Sequence, residues 1–300
     1  MNHRATSAQE GRSSVPDFFI VGAPRCGTTA LYTYLRDHPE IFMSPIKEPE
    51  FFTDFLGEHR RVRTWPEYMD CFAGVRGEKR IGEASVSYLV SRTSARAIKE
   101  FSPLARVIIM LRNPVDVMYS MYHLRRFSNL EDQPSFEAAL DADARGRKVP
   151  LLTYRERAMF AAQVERYITV FGREKVQVIV YDDFKADTRG VFRDTLHFLD
   201  VCSDCEREFP AINGNTRSRN RFLRRLLRRP PEPLRRTIHA VTSPRFRSAV
   251  GRYLLGLNAV EEPRAAMAPE LRDRLREEFA PEIYRLSTIV DRDLTAWCRA

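Results

Sequence analysis

An anion-binding loop is indicated by the run Gly22-Ala-Pro-Arg-Cys-Gly27-Thr28-Thr29, which lies between a buried apolar run and a helical stretch. Glycines there let backbone N–H groups turn toward an anion at a helix N-terminus. The glycine spacing equals that of a Walker A loop, but a nucleotide triphosphatase needs Lys and then Ser or Thr after the second glycine. Two threonines follow instead, and the positive charge is Arg25, inside the loop. An arginine can clamp an anionic oxygen, so the loop predicts phosphate binding without an obvious metal ligand.

A second set of phosphate-binding residue types follows another apolar run. Arg112 stands at the end of that run, and Ser120 lies about two turns into the helix expected to begin at Pro114. Arg112 by its charge and Ser120 by its hydroxyl are candidates to hold a second phosphate. The alternative is that Arg112 pairs with Asp116 as a structural ion pair. Two separate phosphate sites fit a ligand with phosphates at both ends of a nucleoside better than they fit a triphosphate.

Short apolar runs and helical stretches alternate along the chain and must position these residues. The predicted strands are Asp17–Gly22, Arg80–Glu83, Arg106–Leu111 and Val176–Tyr181, and the predicted helices are Thr28–Asp37, Thr93–Phe101, Pro114–Phe127 and Arg155–Phe171. This alternation predicts a three-layer α/β/α fold with a central parallel sheet. Ligands of such sheets bind beyond the carboxyl ends of the strands, so the loops after the four strands are expected to carry the chemistry. From Arg219 on, the chain is predicted to be helical, with Ala268–Val290 a packed helix.

Length and composition describe a globular chain. It has 300 residues, of which 43% are hydrophobic and 30% charged, and residues 17–300 are expected to form a single domain behind a disordered leader, residues 1–16. The longest run without charge is about half of the roughly 20 residues of a membrane-spanning helix. The leader lacks the apolar core of a secretory signal. The five cysteines are scattered, which favours reduced thiols and a cytoplasmic location.

A cluster of arginines dominates the charge, which is +9 over the whole chain. The stretch from Arg217 to Arg236 contains nine arginines and one acid, Glu232. One interpretation is a solvated helix face. The other is a binding surface for a polyanion, an anionic lipid head or a phosphorylated small molecule. No nucleic-acid-binding module motif accompanies it, so nucleic acid is not an expected partner, whereas peripheral contact with a membrane is compatible with it.

The motifs together resemble the sulfotransferases that use 3′-phosphoadenosine 5′-phosphosulfate (PAPS), in particular the bacterial and heparan-type carbohydrate enzymes. The two strongest matches are Phe19-Ile-Val-Gly-Ala-Pro-Arg-Cys-Gly-Thr-Thr-Ala-Leu31 and Arg106-Val-Ile-Ile-Met-Leu-Arg-Asn-Pro-Val-Asp-Val-Met-Tyr-Ser120. Supporting matches are Ser44-Pro-Ile-Lys-Glu-Pro-Glu-Phe-Phe52, Gly82-Glu-Ala-Ser-Val-Ser-Tyr88, Gly214-Asn-Thr-Arg-Ser-Arg219 and Arg292-Asp-Leu-Thr-Ala-Trp297. Ala84 stands where the heparan-type motif has Lys, which removes a cation from the acceptor side.

The resemblance implies a P-loop-like fold and a PAPS donor, with no metal. It assigns the 5′-phosphate to Arg25, Cys26, Gly27, Thr28, Thr29 and Ala30. It assigns the 3′-phosphate to Arg112 and Ser120, and the segment that closes over the nucleotide to Arg217, Ser218 and Arg219. Transfer of a sulfuryl group also needs a base for the acceptor hydroxyl or amine, and Glu48 occupies that place in the motif, with Arg25 as the second catalytic residue. Rival bases are Glu50, Glu83 and His123.

Several alternatives remain at this point. The acceptor could be a saccharide, a glycolipid or a small metabolite. Cys26, at a helix N-terminus beside Arg25, could act as a nucleophile. A different class is a metal-dependent P-loop phosphotransferase in which Asp182 and Asp183 would hold Mg²⁺. A third class is a non-catalytic binder of anionic lipid or nucleic acid that uses the stretch from Arg217 to Arg236.

Overall fold

The computed structural model describes residues 15–128, 130–146, 152–203, 208–210, 216–218, 259–261 and 265–299. The side chains of residues 216–218 and 259–261 are outside this description. The leader predicted over residues 1–16, apart from its last two residues, lies outside the described residues, and so does most of the arginine stretch. The expectations for the leader and for the arginine stretch therefore stay predictions.

A five-stranded parallel sheet forms the centre of the fold, in the order β2-β3-β1-β4-β5. Its strands are β1 (Phe18–Gly22), β2 (Ile41–Met43), β3 (Arg80–Ala84), β4 (Arg106–Leu111) and β5 (Val176–Val180). Every residue of β1 is buried, and so are the last five of β4, as expected for strands covered on both faces. The four predicted strands are confirmed within one residue at each end. The three-residue strand β2 was not predicted, because its length leaves no periodic signal.

Helices alternate with the strands along the chain and follow the last strand of the sheet. They are α1 (Thr28–Arg36), α2 (Trp65–Asp70), α3 (Ser94–Phe101), α4 (Pro114–Phe127), α5 (Phe136–Ala144), α6 (Tyr154–Ala158), α7 (Phe160–Phe171), α8 (Tyr181–Ala186), α9 (Thr188–Leu199) and α10 (Pro269–Val290). The parallel sheet with these helices confirms the P-loop-like α/β/α class. The helix predicted over Arg155–Phe171 is two helices, α6 and α7, because the backbone of Met159 leaves the helical region (φ −79°, ψ 76°).

The chain divides into two compact units. The first comprises Met1–Asn113, Met159–Phe209 and Glu282–Thr295, and it contains all five strands of the sheet. The second comprises Pro114–Ala158, Pro210–Pro281 and Ala296–Ala300. The expectation of one domain over residues 17–300 stays a prediction.

The second unit has its own packing and ion pairs. A guanidinium N–H of Arg125 donates to the Leu152 carbonyl at 2.6 Å, and its guanidinium carbon lies 4.3 Å from the centre of the Tyr154 ring. Asp116, the structural partner considered for Arg112, pairs with Arg272 of α10 at 3.0 Å. In the same unit, β6 (Thr216–Ser218) pairs antiparallel with β7 (Ala259–Glu261).

Candidate phosphate-binding and acceptor site

The loop between β1 and α1 presents the open N-terminus of a helix. Gly27 is the N-cap residue of α1, and its carbonyl accepts the N–H groups of Ala30 at 3.0 Å and Leu31 at 3.2 Å. Among the described residues, no side chain caps this end, and the first turn contains no acid. The free N–H groups and the positive end of the helix dipole therefore favour an anion at this point.

Two glycines let this loop lie close to its neighbours. Gly27 has φ +92°, a left-handed conformation, and a Cβ atom there would lie 3.1 Å from the Tyr181 ring and 3.2 Å from the Met110 methyl group. A Cβ atom on Gly22 would lie 2.5 Å from the Cβ atom of Leu89. Both positions therefore require glycine, for the backbone conformation at Gly27 and for space at Gly22.

Arg25 and Arg112 bring two positive charges to the loop. Burial lowers the pKa of Arg25, and the charge of Arg112 lowers it further, so the two guanidinium groups interact electrostatically. Arg112 follows β4, and its guanidinium carbon lies 4.9 Å from the centre of the Tyr181 ring. A phosphate bound beside both guanidinium groups would stabilise their charged forms. The loop arginine and the arginine after β4 therefore lie near each other, and their assignment to two separate phosphates stays a prediction.

The thiol of Cys26 is poorly placed to act as a nucleophile. Its side chain is fully buried, and burial is the main reason why its pKa is raised to about 12, despite the nearby charges of Arg112 and Arg25. Its S–H donates to the Pro24 carbonyl at 3.5 Å. The thiol is therefore protonated at neutral pH, which argues against the nucleophile alternative, because the thiolate is the reactive form. The contribution of Cys26 to an anion site is limited to its backbone.

Glu48 lies in a tight turn beside the carboxyl end of β3. Its N–H donates to the carbonyl of Ala84 at 2.8 Å, and Ala84 pairs with Ile20 of β1. Adjacent strands lie about 5 Å apart, so the Glu48 backbone is roughly two strand spacings from the strand that leads into the phosphate loop. The Glu48 side chain is 34% exposed, and its Oε1 accepts from Lys47 Nζ at 2.6 Å. The candidate base is therefore accessible and lies at the same edge of the sheet as the phosphate loop.

The backbone of this turn is strained. Glu48 and Glu50, on either side of Pro49, have φ of 64° and 61°, a left-handed conformation that non-glycine residues avoid. Such residues cost about 1–3 kcal/mol each and persist only where the surrounding structure holds them, which is common at active sites. The strain therefore makes this turn a candidate functional position.

A series of hydrogen bonds fastens the segment 44–54 to the segment 82–94, which comprises the end of β3 and the residues that follow it. Backbone N–H groups of the first segment donate to the second at Ser44 to Gly82 O (2.9 Å), Glu48 to Ala84 O (2.8 Å), Glu50 to Ser85 Oγ (3.0 Å) and Phe52 to Tyr88 Oη (3.2 Å). Side chains add Thr53 Oγ1 with Ser87 Oγ (3.0 Å), Ser91 Oγ to Asp54 Oδ1 (2.9 Å) and Ser94 Oγ to Phe52 O (2.8 Å).

Two arginines hold the opposite side of the turn. The guanidinium of Arg61 donates to the carbonyl of Lys47 at 2.9 Å, and that of Arg60 donates to the carbonyl of Phe51 at 3.1 Å. Between them, the N–H of Val62 donates to the Pro49 carbonyl at 3.1 Å. The turn is thus held from two sides, and it carries cationic side chains next to the candidate base.

Glu83, one of the rival bases, is buried and fully engaged. It has no exposed surface, its Oε2 accepts from Tyr68 Oη at 2.5 Å, and its Oε1 accepts from Ser85 Oγ at 2.7 Å. Burial raises its pKa to about 6, and the hydrogen bonds from Tyr68, Ser85 and Tyr88 oppose that shift. An acceptor molecule cannot reach this carboxyl group, so the structure argues against Glu83 as the base.

The remaining predicted site residues belong to the second unit. Ser120, which is 1% exposed, and His123, whose ring packs edge-on against Tyr119 at 4.5 Å, belong to α4 in the second unit. Arg217 and Ser218 are described only by the backbone of β6, and Arg219 lies outside the described residues. Their roles stay predictions.

Sequence reasoning missed the residues that hold the turn: Arg60, Arg61, Tyr68, Ser85 and Tyr88. Ser85 and Tyr88 belong to the motif that runs from Gly82 to Tyr88. Their hydroxyl groups close to Glu83 in the sequence are the feature that could have indicated the hydrogen bonds. Arg60 and Arg61 gave no signal, because an arginine pair in a loop is typical of any exposed surface.

Of the two aspartates that follow β5, Asp183 forms an ion pair. Asp183 accepts from both terminal guanidinium nitrogens of Arg292, with Oδ1 at 2.7 Å from one of them. This accounts for Arg292 in the closing motif, and it engages one of the two acids that the phosphotransferase alternative assigned to Mg²⁺. Within the described ranges, no three side chains of the His, Cys, Asp or Glu type converge to hold a metal ion.

Comparison with known proteins decides the family. Residues 15–216 match the family model described as "Sulfotransferase domain". The chain belongs to the sulfotransferase family. Carbohydrate sulfotransferase 15 of Mus musculus is 25% identical, and the match covers 62% of this chain and 44% of that protein. Heparan sulfate glucosamine 3-O-sulfotransferase 6 of Homo sapiens is 33% identical over 128 residues, which cover 43% of this chain and 35% of that protein.

A solved structure supports the sulfotransferase fold over nearly the whole chain. The sulfotransferase from Alicyclobacillus acidocaldarius is 33% identical, with a TM-score of 0.70, and the match covers 95% of this chain and 99% of that one. The chain spans less than half of the length of the two curated sulfotransferases named above. Among the described helices, none combines the length and apolar character needed to cross a membrane.

Proposed function

We propose that this protein transfers the sulfuryl group of PAPS to an acceptor hydroxyl or amine, with Glu48 as the general base. The observation that carries the proposal is the placement of two features at one edge of the sheet. One is the open N-terminus of α1 with Arg25 and Arg112, and the other is the Glu48 turn bonded to Ala84, which pairs with β1. A donor anion and an accessible carboxylate are the two requirements of this reaction.

The donor fits the first feature. The 5′-phosphate would be held by the backbone N–H groups from Cys26 to Ala30, the Thr28 and Thr29 hydroxyls and the Arg25 guanidinium. Arg112 would hold the 3′-phosphate, to which the sequence motif alone also assigns Ser120. Both arginines carry charge that the donor's phosphates would neutralise, so transfer would need no divalent metal.

The chemical step uses Glu48 and Arg25 at opposite ends of the reacting group. The Glu48 carboxylate accepts the proton of the acceptor hydroxyl as the acceptor oxygen forms a bond to sulfur. The bond between sulfur and the bridging oxygen breaks, and its electron pair stays on the 5′-phosphate, which leaves as adenosine 3′,5′-bisphosphate. Arg25 and the helix N-terminus stabilise the charge that develops on this leaving group.

A saccharide is the favoured acceptor. Two of the relatives are named as a carbohydrate and a heparan sulfate sulfotransferase, and this supports a sugar hydroxyl or amine. Although Ala84 removes one expected cation, Lys47, Arg60 and Arg61 bring three cationic side chains to the Glu48 turn. An acceptor panel should therefore contain anionic as well as neutral sugars.

The test is a transfer assay with ³⁵S-labelled PAPS and a panel of acceptors: desulfated heparin, p-nitrophenyl β-glucoside, a neutral glycolipid and 2-naphthol. We expect transfer to at least one member, with Glu48→Gln lowering turnover roughly 10²–10⁴-fold, because Gln cannot accept the proton. The affinity for adenosine 3′,5′-bisphosphate should remain near that of the wild type.

Glu50→Gln is the matched control, since Glu50 lies two residues away and has the same backbone conformation. It should retain turnover. If Glu50→Gln is inactive while Glu48→Gln is active, the base assignment is wrong. If labelled PAPS does not bind and Mg²⁺ with ATP gives phosphoryl transfer, the phosphotransferase alternative replaces the proposal.

The binder alternative has its own test. The wild-type chain should show no salt-sensitive pelleting with vesicles that contain anionic lipid and no gel shift with DNA or RNA. Strong binding in either assay, together with no sulfuryl transfer, would favour a non-catalytic role for the stretch from Arg217 to Arg236.

A further inference from the structure

The buried carboxyl group of Glu83 is the centre of a hydrogen-bond network that the reaction itself does not use. Three hydroxyl groups bond to it: those of Tyr68, Ser85 and Tyr88. Glu83 and Tyr88 have no exposed surface, and Ser85 is 1% exposed. Burying a carboxyl group destabilises a fold unless the group is hydrogen-bonded, so the fold requires this network around Glu83.

Two of these hydroxyls face the turn that carries the base. Ser85 Oγ donates to Glu83 and accepts the backbone N–H of Glu50 at 3.0 Å. Tyr88 Oη bonds to Glu83 and accepts the backbone N–H of Phe52 at 3.2 Å. A hydroxyl has one proton, so donating that proton to Glu83 turns its lone pairs toward the backbone N–H. The Glu83 carboxyl group therefore determines that both hydroxyl oxygens act as hydrogen-bond acceptors for the turn.

The turn needs such links, because its backbone conformation is unfavourable. Glu48 and Glu50 both have left-handed φ angles. The N–H of Glu48 is held by Ala84, the last residue of β3, and that of Glu50 by Ser85, the next residue. Without the Ser85 link, the bond of Glu48 to Ala84 would be the one that still holds this pair to the end of β3 among the described residues, and the Glu48 carboxyl group would be less well fixed.

We propose that Glu83 is a positioning residue for sulfuryl transfer, which fixes the Glu48 turn through the hydroxyls of Ser85 and Tyr88. This inference rests on the proposed function, because it takes Glu48 as the base. Glu83 does not touch the acceptor or the donor; it acts through the backbone N–H groups of Glu50 and Phe52.

The decisive variants are Ser85→Ala and Glu83→Gln. Ser85→Ala removes one oxygen and its two hydrogen bonds, and it is the milder change for folding. Glu83→Gln keeps the shape of the side chain but replaces one acceptor oxygen with a donor, so the surrounding hydroxyls cannot all donate to it. Ser87→Ala is the matched control, because Ser87 lies in the same segment and its hydroxyl bonds, among the described residues, to the Thr53 hydroxyl and to no backbone N–H of the turn.

The first readout is amide hydrogen exchange in the peptide that covers residues 47–53. In both Ser85→Ala and Glu83→Gln, the Glu50 amide should exchange about tenfold faster, since it loses or weakens its acceptor. Ser87→Ala should leave it unchanged. Unchanged protection of the Glu50 amide in folded Ser85→Ala would overturn the proposal.

The second readout separates positioning from general stability. With ³⁵S-labelled PAPS and the panel acceptor that gives the highest rate, Ser85→Ala should lower kcat about 10- to 100-fold, since a small misplacement of a catalytic group costs that much. The affinity for adenosine 3′,5′-bisphosphate should stay within twofold. A purely structural role would instead lower thermal stability and donor affinity together, with kcat unchanged.

Glu48→Gln, measured in parallel, distinguishes the two possible failures. If Glu48→Gln retains turnover, the base assignment has failed and the positioning role fails with it. If Glu48→Gln is inactive while Ser85→Ala and Glu83→Gln retain wild-type turnover, the function stands and the positioning role is wrong.

Discussion

Arg112 follows directly after β4 and packs over the Tyr181 ring, and its charge interacts with that of Arg25. Its guanidinium carbon lies 4.9 Å from the centre of the Tyr181 ring, and its charge contributes to the lowered pKa of Arg25. A single arginine thus links the end of β4 to the phosphate loop. We propose that Arg112 binds the second phosphate of the donor, the group that separates PAPS from adenosine 5′-phosphosulfate.

Arg112→Ala should weaken donor binding by about one to two orders of magnitude, because a hydrogen bond to a charged group contributes about 1.5–3 kcal/mol. Titration calorimetry with adenosine 3′,5′-bisphosphate and with AMP measures the effect. The preference for the bisphosphate over AMP should shrink in the variant by the same factor. An unchanged preference would remove Arg112 from the 3′-phosphate.

Glu83 also makes stability depend on pH. Its pKa is about 6 in the folded chain, against an ordinary value of 4.5. Between these two values the folded chain binds more protons than the unfolded chain, so the free energy of unfolding falls as pH rises through this window. The loss is complete above the folded pKa and is on the order of 2 kcal/mol.

Glu83→Gln lacks this titration. Denaturant unfolding of both proteins at pH 4 and pH 7 should show that the wild type loses about 2 kcal/mol more than the variant over this range. The change should be centred between pH 4.5 and 6. A difference between the two proteins that does not vary with pH would show that Glu83 titrates normally.

At the scale of elements, the junction of β1 and α1 depends on one left-handed glycine. Gly27→Ala places a Cβ atom in a strained conformation and 3.1 Å from the Tyr181 ring. We expect a loss of about 1–2 kcal/mol in the free energy of unfolding and, in addition, weaker binding of adenosine 3′,5′-bisphosphate.

Gly77→Ala is the matched control for that substitution. Gly77 has φ +104°, but a Cβ atom there meets no atom within 4 Å. It should lose a similar amount of stability and keep donor affinity. Equal loss of donor affinity in both variants would mean that the Gly27 effect is general destabilisation.

The sequence predicted the elements that position the phosphate loop, because long apolar runs and the glycine pattern act locally. The predicted bounds agree with the observed ones to within one residue for β1, β4, α1 and α4. The left-handed conformation of Glu48 was beyond such reasoning, since it is held by bonds from Ala84 and Ser85, about 35 residues away. Helix α9 was not predicted, although its buried residues Phe192, Thr195, Leu196 and Leu199 recur at helical spacing.

At the scale of the whole molecule, donor binding should appear as thermal stabilisation. A ligand at about 100 times its dissociation constant stabilises the folded state by about 2.7 kcal/mol, which corresponds to roughly 5–10 °C in Tm for a chain of this size. Adenosine 3′,5′-bisphosphate should produce this shift in the presence of EDTA. Dependence on Mg²⁺, or an equal shift with ATP, would favour a phosphotransferase.

The charge distribution gives a second whole-molecule prediction. Neutralising Arg217 and Arg219, which match the late basic segment of the family, should lower affinity for adenosine 3′,5′-bisphosphate. Neutralising Arg228 and Arg229, which match no motif, should leave it unchanged. These positions lie outside the described side chains, so the prediction depends on the sequence alone, and the reverse result would assign the stretch to a membrane or another partner.

The central position of β1 has a consequence for synthesis on the ribosome. β1 emerges first, yet its two neighbours in the sheet are β3 and β4, and the N–H of Ala23 at the start of the loop is bonded to the carbonyl of Met110. Until β4 leaves the exit tunnel, a wholly apolar strand keeps at least one open edge, which invites pairing with other chains. A fragment that ends before Arg106 would leave this edge of β1 unpaired, and we expect it to aggregate more readily than the full chain.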